Sequence, residues 1–134
     1  MKHTLSFGYL TLITPKIFEL IIDDNTIVTA AMYAEYAEYI ANHQHGNEPY
    51  SVLVNNINNY QLTDNFNFLV GSNANLSAIA IVSYGNLNTD KIEAFIMMKA
   101  DDKFNIEVFS GLEMGRGKAI RWLELELTKS SIKI

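Results

Sequence analysis

Two histidines and a nearby carboxylate are the first residues in this sequence whose types could bind a metal. His43 and His45 flank a single residue, and Glu48 follows three positions later. Histidine nitrogens and carboxylates are ordinary zinc ligands, but a site needs three or four that converge. The spacing does not show such convergence, and a histidine near a helix end also interacts favourably with the helix dipole. We therefore predict no metal.

A glycine-rich stretch before the last predicted helix is the second group. Glycine amides with Lys118 at a helix start could hold an anion, as in a phosphate-binding loop. However, five residues separate Gly111 from Gly117 where a P-loop has four, and Ala119 replaces the Ser or Thr that would hold magnesium. We therefore predict no cofactor and a glycine-rich approach to the last helix. A nucleotide-binding enzyme at Lys118 is the third-ranked hypothesis.

The remaining acidic groups indicate turns rather than catalysis. Neither Asp23-Asp24-Asn25 nor Asp101-Asp102 lies in the ligand pattern of an EF-hand. The sequence contains no Gly-x-Ser-x-Gly or His-Glu-x-x-His motif, and it has no cysteine. We predict that the protein is not an enzyme.

Composition and hydropathy argue against a nucleic-acid-binding protein and against a membrane-spanning one. Ten Lys and Arg against fifteen Asp and Glu leave a net charge of -5, and the basic residues are dispersed, which argues against nucleic acid as a partner. No run reaches the roughly 20 apolar residues of a membrane span, and the N-terminal apolar stretch is too interrupted for a signal peptide. We predict a single domain over residues 1–134 in the cytoplasm.

Two apolar runs organise the predicted fold. Residues 49–55 and 76–82 are nearly continuous in apolar residues, which is typical of strands buried on both faces of a parallel sheet. Residues 3–14 and 16–22 predict an antiparallel strand pair before them, and 104–109 predicts a fifth strand. Right-handed crossovers would make the later strands parallel.

Four helices are predicted between and after these strands. The first runs from about Ile27 to Asn42 with Thr26 as its N-cap. Its small residues form a stripe that we expect to pack on the sheet (Ala30, Ala34, Ala37 and Ala41). Two more are expected near 63–70 and 89–100. The last runs to about Leu127, with Ala119, Leu123 and Leu127 on its buried side.

This order of elements, with several local strings, resembles the STAS-like family and, within it, the SpoIIAA-like group of small bacterial stand-alone proteins. The matching strings are core segments: Pro49-Tyr50 with Val52-Leu53-Val54, Ser77 to Val82, Phe104 to Ser110, and Ala119 to Leu123. The resemblance implies an α/β fold with one sheet of five mostly parallel strands, an antiparallel first pair and four helices.

The resemblance also implies a partner-binding region. In the anti-sigma antagonists of this family, a serine at the start of the helix after the organising strand is phosphorylated by a partner kinase. Here the corresponding residues are Thr63 and Asp64, so a hydroxyl and a fixed negative charge stand where the family has its serine. A phosphate at a helix start is stabilised by the helix amides and can switch a binding surface. The amide-rich loop before it adds Asn58 and Asn59.

Two functional hypotheses follow. The first is a non-catalytic regulatory or protein-interaction module that binds another protein through Asn58, Asn59, Thr63 and Asp64. The second is a carrier or sensor of a small apolar ligand or lipid, held in a cavity lined by Tyr33, Tyr36, Phe95 and Met98. The same four residues could instead form an apolar interface, so a homodimer is an open alternative.

Overall fold

A mixed six-stranded sheet is the centre of the structure, a computed structural model that describes residues 2–43, 48–62, 75–84, 105–112 and 114–132. In chain order the elements are β1 (Lys2–Leu5), β2 (Gly8–Thr14), β3 (Ile17–Ile22), β4 (Thr26–Val28), α1 (Ala30–His43), β5 (Tyr50–Asn56), β6 (Tyr60–Leu62), β7 (Leu76–Ser83), β8 (Ile106–Ser110) and α2 (Gly115–Ile132).

The two apolar runs are the inner strands of this sheet, as predicted. The order is β1-β2-β3-β5-β7-β8, with β1, β2 and β3 antiparallel and the strands from β3 to β8 parallel. All seven residues of β5 are buried. Since neighbours on both sides satisfy its backbone and both faces are covered, this strand needs the nearly continuous apolar sequence that identified it.

Helices α1 and α2 pack on opposite faces of the sheet. Tyr36 and Ile40 of α1 belong to a cluster with Leu20 and Val54, whereas Leu123 of α2 belongs to a second cluster. That second cluster is formed by Ile17, Leu53, Ala78, Ala80, Val82, Ala119, Leu123 and Leu127. The small alanines of β7 let α2 lie close to the sheet. The predicted buried stripe of the last helix is confirmed.

The predicted count of strands and helices is wrong, although the α/β class is confirmed. Over the described residues the main sheet has six strands, β4 and β6 form a separate parallel pair, and there are two helices. Two helices expected near 63–70 and 89–100 lie outside the described residues. The arrangement of five strands and four helices that the resemblance implied is therefore corrected.

The extra strand comes from a hairpin inside residues 3–14. The chain turns at Ser6 and Phe7, and Glu35 of α1 holds the turn by accepting hydrogen bonds from the Ser6 amide at 2.9 Å and the Ser6 hydroxyl at 2.5 Å. Gly8 then begins β2 so close to the backbone of Ile21 that any side chain would overlap its carbonyl oxygen. A contact with a distant helix thus divides what local patterning predicts as one strand.

Helix α1 differs from prediction in its start and its buried face. It begins at Ala30, and the Thr29 hydroxyl accepts a hydrogen bond from the Met32 amide at 3.3 Å, while Thr26 lies in β4. The tyrosine side of the helix faces the core, and Ala34 and Ala41 are exposed. Tyrosines bury far more apolar area than alanines, so the larger residues determine the orientation.

Neither helix of the described residues is long and apolar enough to cross a membrane.

Candidate functional site

The carboxyl ends of the parallel strands form the candidate site. In α/β sheets, ligands and partners commonly bind outside this edge, because the connecting loops converge there. Strands β5, β7 and β8 end at Asn56, Ser83 and Ser110, and α2 begins at Gly115, five residues after β8. This edge brings together the amide-rich loop and the glycine-rich stretch identified in the sequence.

A buried carboxylate lies just behind this edge. Glu19 of β3 is 5% exposed, and its two oxygens accept hydrogen bonds from Arg116 at the start of α2: 3.0 Å from Nε to Oε2 and 2.7 Å from Nη2 to Oε1. The side-chain amide of Asn55 donates a third bond of 3.0 Å to Oε2. The bidentate pair joins residues 97 positions apart and ties the start of α2 to β3.

The protonation of Glu19 reflects opposing effects. Burial raises the pKa of its carboxyl, but the hydrogen bonds from Arg116 and Asn55, with the charge of Arg116, outweigh burial and hold the pKa below its ordinary value. The hydrogen bond to Glu19 raises the pKa of Arg116 despite partial burial. At neutral pH both groups are therefore charged, and a carboxylate occupied by three donors is a poor general base.

Three buried polar atoms of β5 have no hydrogen-bond partner in the described part of the chain: Asn55 Oδ1 and Asn56 Nδ2 at its carboxyl end, and Ser51 Oγ near its amino end. Asn56 accepts a 2.8 Å hydrogen bond from the Tyr60 hydroxyl through its other side-chain atom. Native proteins usually satisfy such atoms with ordered water or a bound group. The carboxyl edge is thus polar beneath its surface, on both faces of β5.

The amide-rich loop is tied to the turn after β3. Asn58 donates from its side chain to the Ile22 carbonyl at 2.9 Å, and the Asn59 amide donates to the Asp24 carboxylate at 2.9 Å. Asn25, with φ of 61°, donates its amide to the Asn59 carbonyl at 2.7 Å. Asn58 and Asn59 thus position the loop, which leaves the side chain of Ile57 at its tip in solvent.

The glycine-rich stretch is a tight junction between β8 and α2. The Gly111 amide continues the ladder by donating to the Ser83 carbonyl at 2.7 Å, and Met114 takes a φ of 64°. Gly115 lies so close to the Ser110 carbonyl oxygen that no side chain could fit. These glycines serve backbone packing, and Lys118 is exposed one turn into the helix.

Large apolar side chains are exposed around the same edge. Ile27, Ile57, Leu112 and Met114 have 55%, 50%, 65% and 78% of their surfaces exposed. They lie on segments that follow the carboxyl ends of β3, β5 and β8. We call these four residues the edge patch.

Of the four predicted cavity residues, Tyr33 and Tyr36 lie side by side with ring centroids 6.2 Å apart, and the cavity stays a prediction because the other two are not described. Tyr36 is buried in the core, Tyr33 packs against that core, and burial raises the pKa of Tyr36 and also raises that of Tyr50 to about 12. Phe95 and Met98 lie outside the described residues, as do Thr63, Asp64 and His45. His43 stacks on Tyr39 with ring centroids 4.0 Å apart.

Glu19, Asn55 and Arg116 were missed as site residues. Glu19 is the only charged residue in the run from Ile17 to Ile22, and a charge inside a buried strand requires a partner. That pattern could have identified the carboxylate. It could not have identified Arg116 among ten basic residues, because the pair forms only when α2 packs on the sheet.

Comparison of the chain with known protein families, curated proteins and solved structures finds no match. The STAS-like resemblance therefore stays a prediction.

Proposed function

We propose that this chain is a non-catalytic regulatory or protein-interaction module that contacts another protein through the carboxyl edge of its sheet. The observation that supports this most strongly is the edge patch. Isolated exposed apolar residues are common on proteins, but four large ones around one edge form a surface suited to a partner.

The surroundings of the edge patch suit recognition better than chemistry. Loop 57–60 is held in place by Asn58 and Asn59, so Ile57 is presented without a large ordering cost on binding. The buried carboxylate behind this edge, Glu19, is already paired with Arg116, and the Asp24 carboxylate accepts the Asn59 amide. A rigid loop and a neutralised acid favour a binding surface over a general acid or base.

Two single substitutions in the edge patch test this proposal. Ile57→Asp and Leu112→Asp each replace an exposed apolar side chain with a charged one and place no charge in the core, so both variants should fold. Leu125→Asp is the matched control, because Leu125 is 62% exposed on α2 and lies outside the edge patch; only proteins other than the chain itself are counted as partners. Tagged proteins would be cross-linked in cells of the natural host and their partners identified by mass spectrometry.

We expect one partner to be recovered with the unaltered chain and with Leu125→Asp, and to be lost with Ile57→Asp and Leu112→Asp. Recovery of the same proteins with all four chains, or of none, would contradict an interaction surface at this edge.

A carrier of a small apolar ligand is the second proposal. The described residues form an open, mostly apolar groove of about 490 Å³ at the amino end of β3, lined by Thr14, Pro15, Lys16, Ile17, Glu124, Leu127 and Thr128. This groove lies beside α2, not beside Tyr33 and Tyr36, so it supports a different location from the one predicted. Native mass spectrometry of gently purified protein would detect a bound small molecule.

A further inference from the structure

Helix α2 presents an unusual stripe to solvent. Met114, at its start, is followed at intervals of four, three and four residues by Lys118, Arg121 and Leu125. This spacing places Lys118, Arg121 and Leu125 on one side of the helix, opposite the buried Ala119, Leu123 and Leu127, and Met114 lies directly before its first turn. Met114 and Leu125 are 78% and 62% exposed, and Lys118 and Arg121 are also exposed. The same spacing is the one by which one helix packs along another.

The two basic residues of this stripe have no ion-pair partner in the described part of the chain. By contrast, Arg116 on the buried side pairs with Glu19, and Lys129 pairs with Glu126 at 2.7 Å. Because the whole chain has a net charge of -5, two exposed cations that have no ion-pair partner among the described residues, with apolar side chains beside them, are unexpected. They form a surface that is complementary to an acidic one.

The outer face of α1 has the complementary composition. Ala31, Ala34, Glu38 and Ala41 are all exposed, at intervals of three, four and three residues, on the side opposite Tyr36 and Ile40. Glu38 has no ion-pair partner in the part of the chain that the structure describes, unlike Glu35, which is bound to Ser6. Two alanines before Glu38 and one after it leave a shallow surface around this carboxylate that large side chains can enter.

We propose that the α2 stripe of one copy of this chain docks on the outer face of α1 of a second copy. At 1.5 Å per residue, the two rows are about 16 Å and 15 Å long, so they match in length. When their midpoints align, Glu38 lies opposite Arg121 in a parallel arrangement and opposite Lys118 in an antiparallel one. Met114 and Leu125 then cover the alanines at the ends, where small residues allow the helix axes to approach closely.

This contact has a consequence for assembly. Because α1 and α2 lie on opposite faces of the sheet, the two docking surfaces of one molecule point away from each other. The contact is therefore heterologous, and each added copy presents a fresh surface for the next. We expect association in a series of increasing size, not a closed dimer.

Charge-reversal variants of the full-length chain test the pairing. Sedimentation velocity would be recorded over a range of protein and salt concentrations for the unaltered chain, for Glu38→Lys, and for Lys118→Glu with Arg121→Glu. All three positions are exposed, and circular dichroism would verify folding. Lys16→Glu is the control, since Lys16 lies just before β3 and belongs to neither of the two docking rows.

We expect the unaltered chain and the control to associate at low salt, and each charge-reversed protein alone to associate at least about tenfold more weakly because like charges then oppose each other. An equimolar mixture of the two should regain association, since each supplies the face that the other lacks. A monomeric unaltered chain at every concentration would overturn the proposal, and so would association that the reversals leave unchanged or that mixing does not restore. Because these variants leave Ile57 and Leu112 intact, their outcome is separate from that of the edge patch.

Discussion

The ion pair of Glu19 and Arg116 shows how one residue can tie distant parts of the chain. Moving a carboxylate into a sheet is costly unless it is paired and hydrogen-bonded, and here Arg116 and Asn55 supply three donors. Arg116 is 46% exposed on its side chain, whereas Glu19 is 6% exposed, so the pair is buried on one side only. The main effect of Arg116 is therefore to neutralise the buried charge of Glu19, and the attraction between the two charges adds less to the stability of the fold.

Replacing Arg116 with methionine should destabilise the protein in a pH-dependent way. Removing one partner of a fully buried pair costs about 3–5 kcal/mol, and water beside the half-exposed arginine should reduce this to roughly 2–3 kcal/mol at pH 7. With the cation gone, burial raises the pKa of Glu19 above its ordinary value, so the folded variant binds a proton more readily than the unfolded chain.

The sign of the pH effect follows from these two states. In the unaltered protein the folded pKa of Glu19 lies below 4.5, so its stabilisation is complete above that value and is lost as the pH falls through the folded pKa. In Arg116→Met, acidification instead relieves a buried charge. The difference in unfolding free energy between the two proteins, measured by urea denaturation, should shrink from pH 7 to about pH 4.5.

Lys129→Met is the control on the same helix, because it removes a lysine that is 70% exposed from Glu126, which is 13% exposed and keeps a 2.8 Å hydrogen bond from Asn105. Since Lys129 is largely in water and Glu126 keeps its other partner, the loss should be about 1 kcal/mol or less. A loss in Arg116→Met that is equally small, or that grows on acidification, would contradict the role given to Arg116.

Among the helices and strands, α1 begins at a residue that tertiary structure decides and the local sequence pattern does not. The sequence predicts Thr26 as the N-cap of α1, but Thr29 is the residue that precedes the helix and caps it. The chain instead uses residues 26–28 as β4, which pairs with β6 in a parallel register. Only the packing of the loop after β5 makes this pairing available, and that packing is not a local property of the sequence.

Thr29→Ala should therefore destabilise the protein more than Thr26→Ala. Loss of an N-cap hydroxyl costs about 1 kcal/mol, because the Met32 amide loses its acceptor. For a chain of this size that corresponds to a fall in melting temperature of roughly 3–5 °C. Thermal denaturation of both variants, with Thr29→Ser as a conservative control, would measure it. Equal losses in the two alanine variants would show that Thr29 does not cap α1.

The elements that could be predicted from sequence are those whose pattern depends on burial alone. Strands β5 and β7 were identified because two covered faces require continuous apolar residues, and α2 because Ala119, Leu123 and Leu127 recur at helical spacing. The face of α1 was misjudged, because alanine and tyrosine stripes both fit a helix and only packing decides between them. The pairing of Glu19 with Arg116 depends on residues 97 positions apart, which no local pattern contains.

At the scale of the whole molecule, the central sheet joins two hydrophobic clusters into one structure. Leu20 belongs to the cluster beneath α1 and Leu53 to the cluster beneath α2, and each is 0% exposed. They lie on neighbouring parallel strands, where Leu53 is paired in register with Glu19. A backbone shared by both faces cannot lose the packing of one side without disturbing the other, so we expect a single cooperative unit.

Leu20→Ala and Leu53→Ala test this expectation. Each removes a fully buried leucine and should cost about 2–5 kcal/mol, a large share of the roughly 5–15 kcal/mol that stabilises a typical domain. Trp122, the single tryptophan, packs on the α2 side with its ring centroid 5.8 Å from that of Phe109, so its fluorescence reports that side alone. Far-ultraviolet circular dichroism reports both sides.

In urea, both measurements should give the same midpoint in the unaltered protein, and both should shift together in either variant. The decisive case is Leu20→Ala, whose lost packing lies across the sheet from Trp122. If its circular dichroism midpoint fell while the Trp122 midpoint stayed in place, the two faces would unfold separately, and the prediction of one domain over residues 1–134 would be wrong.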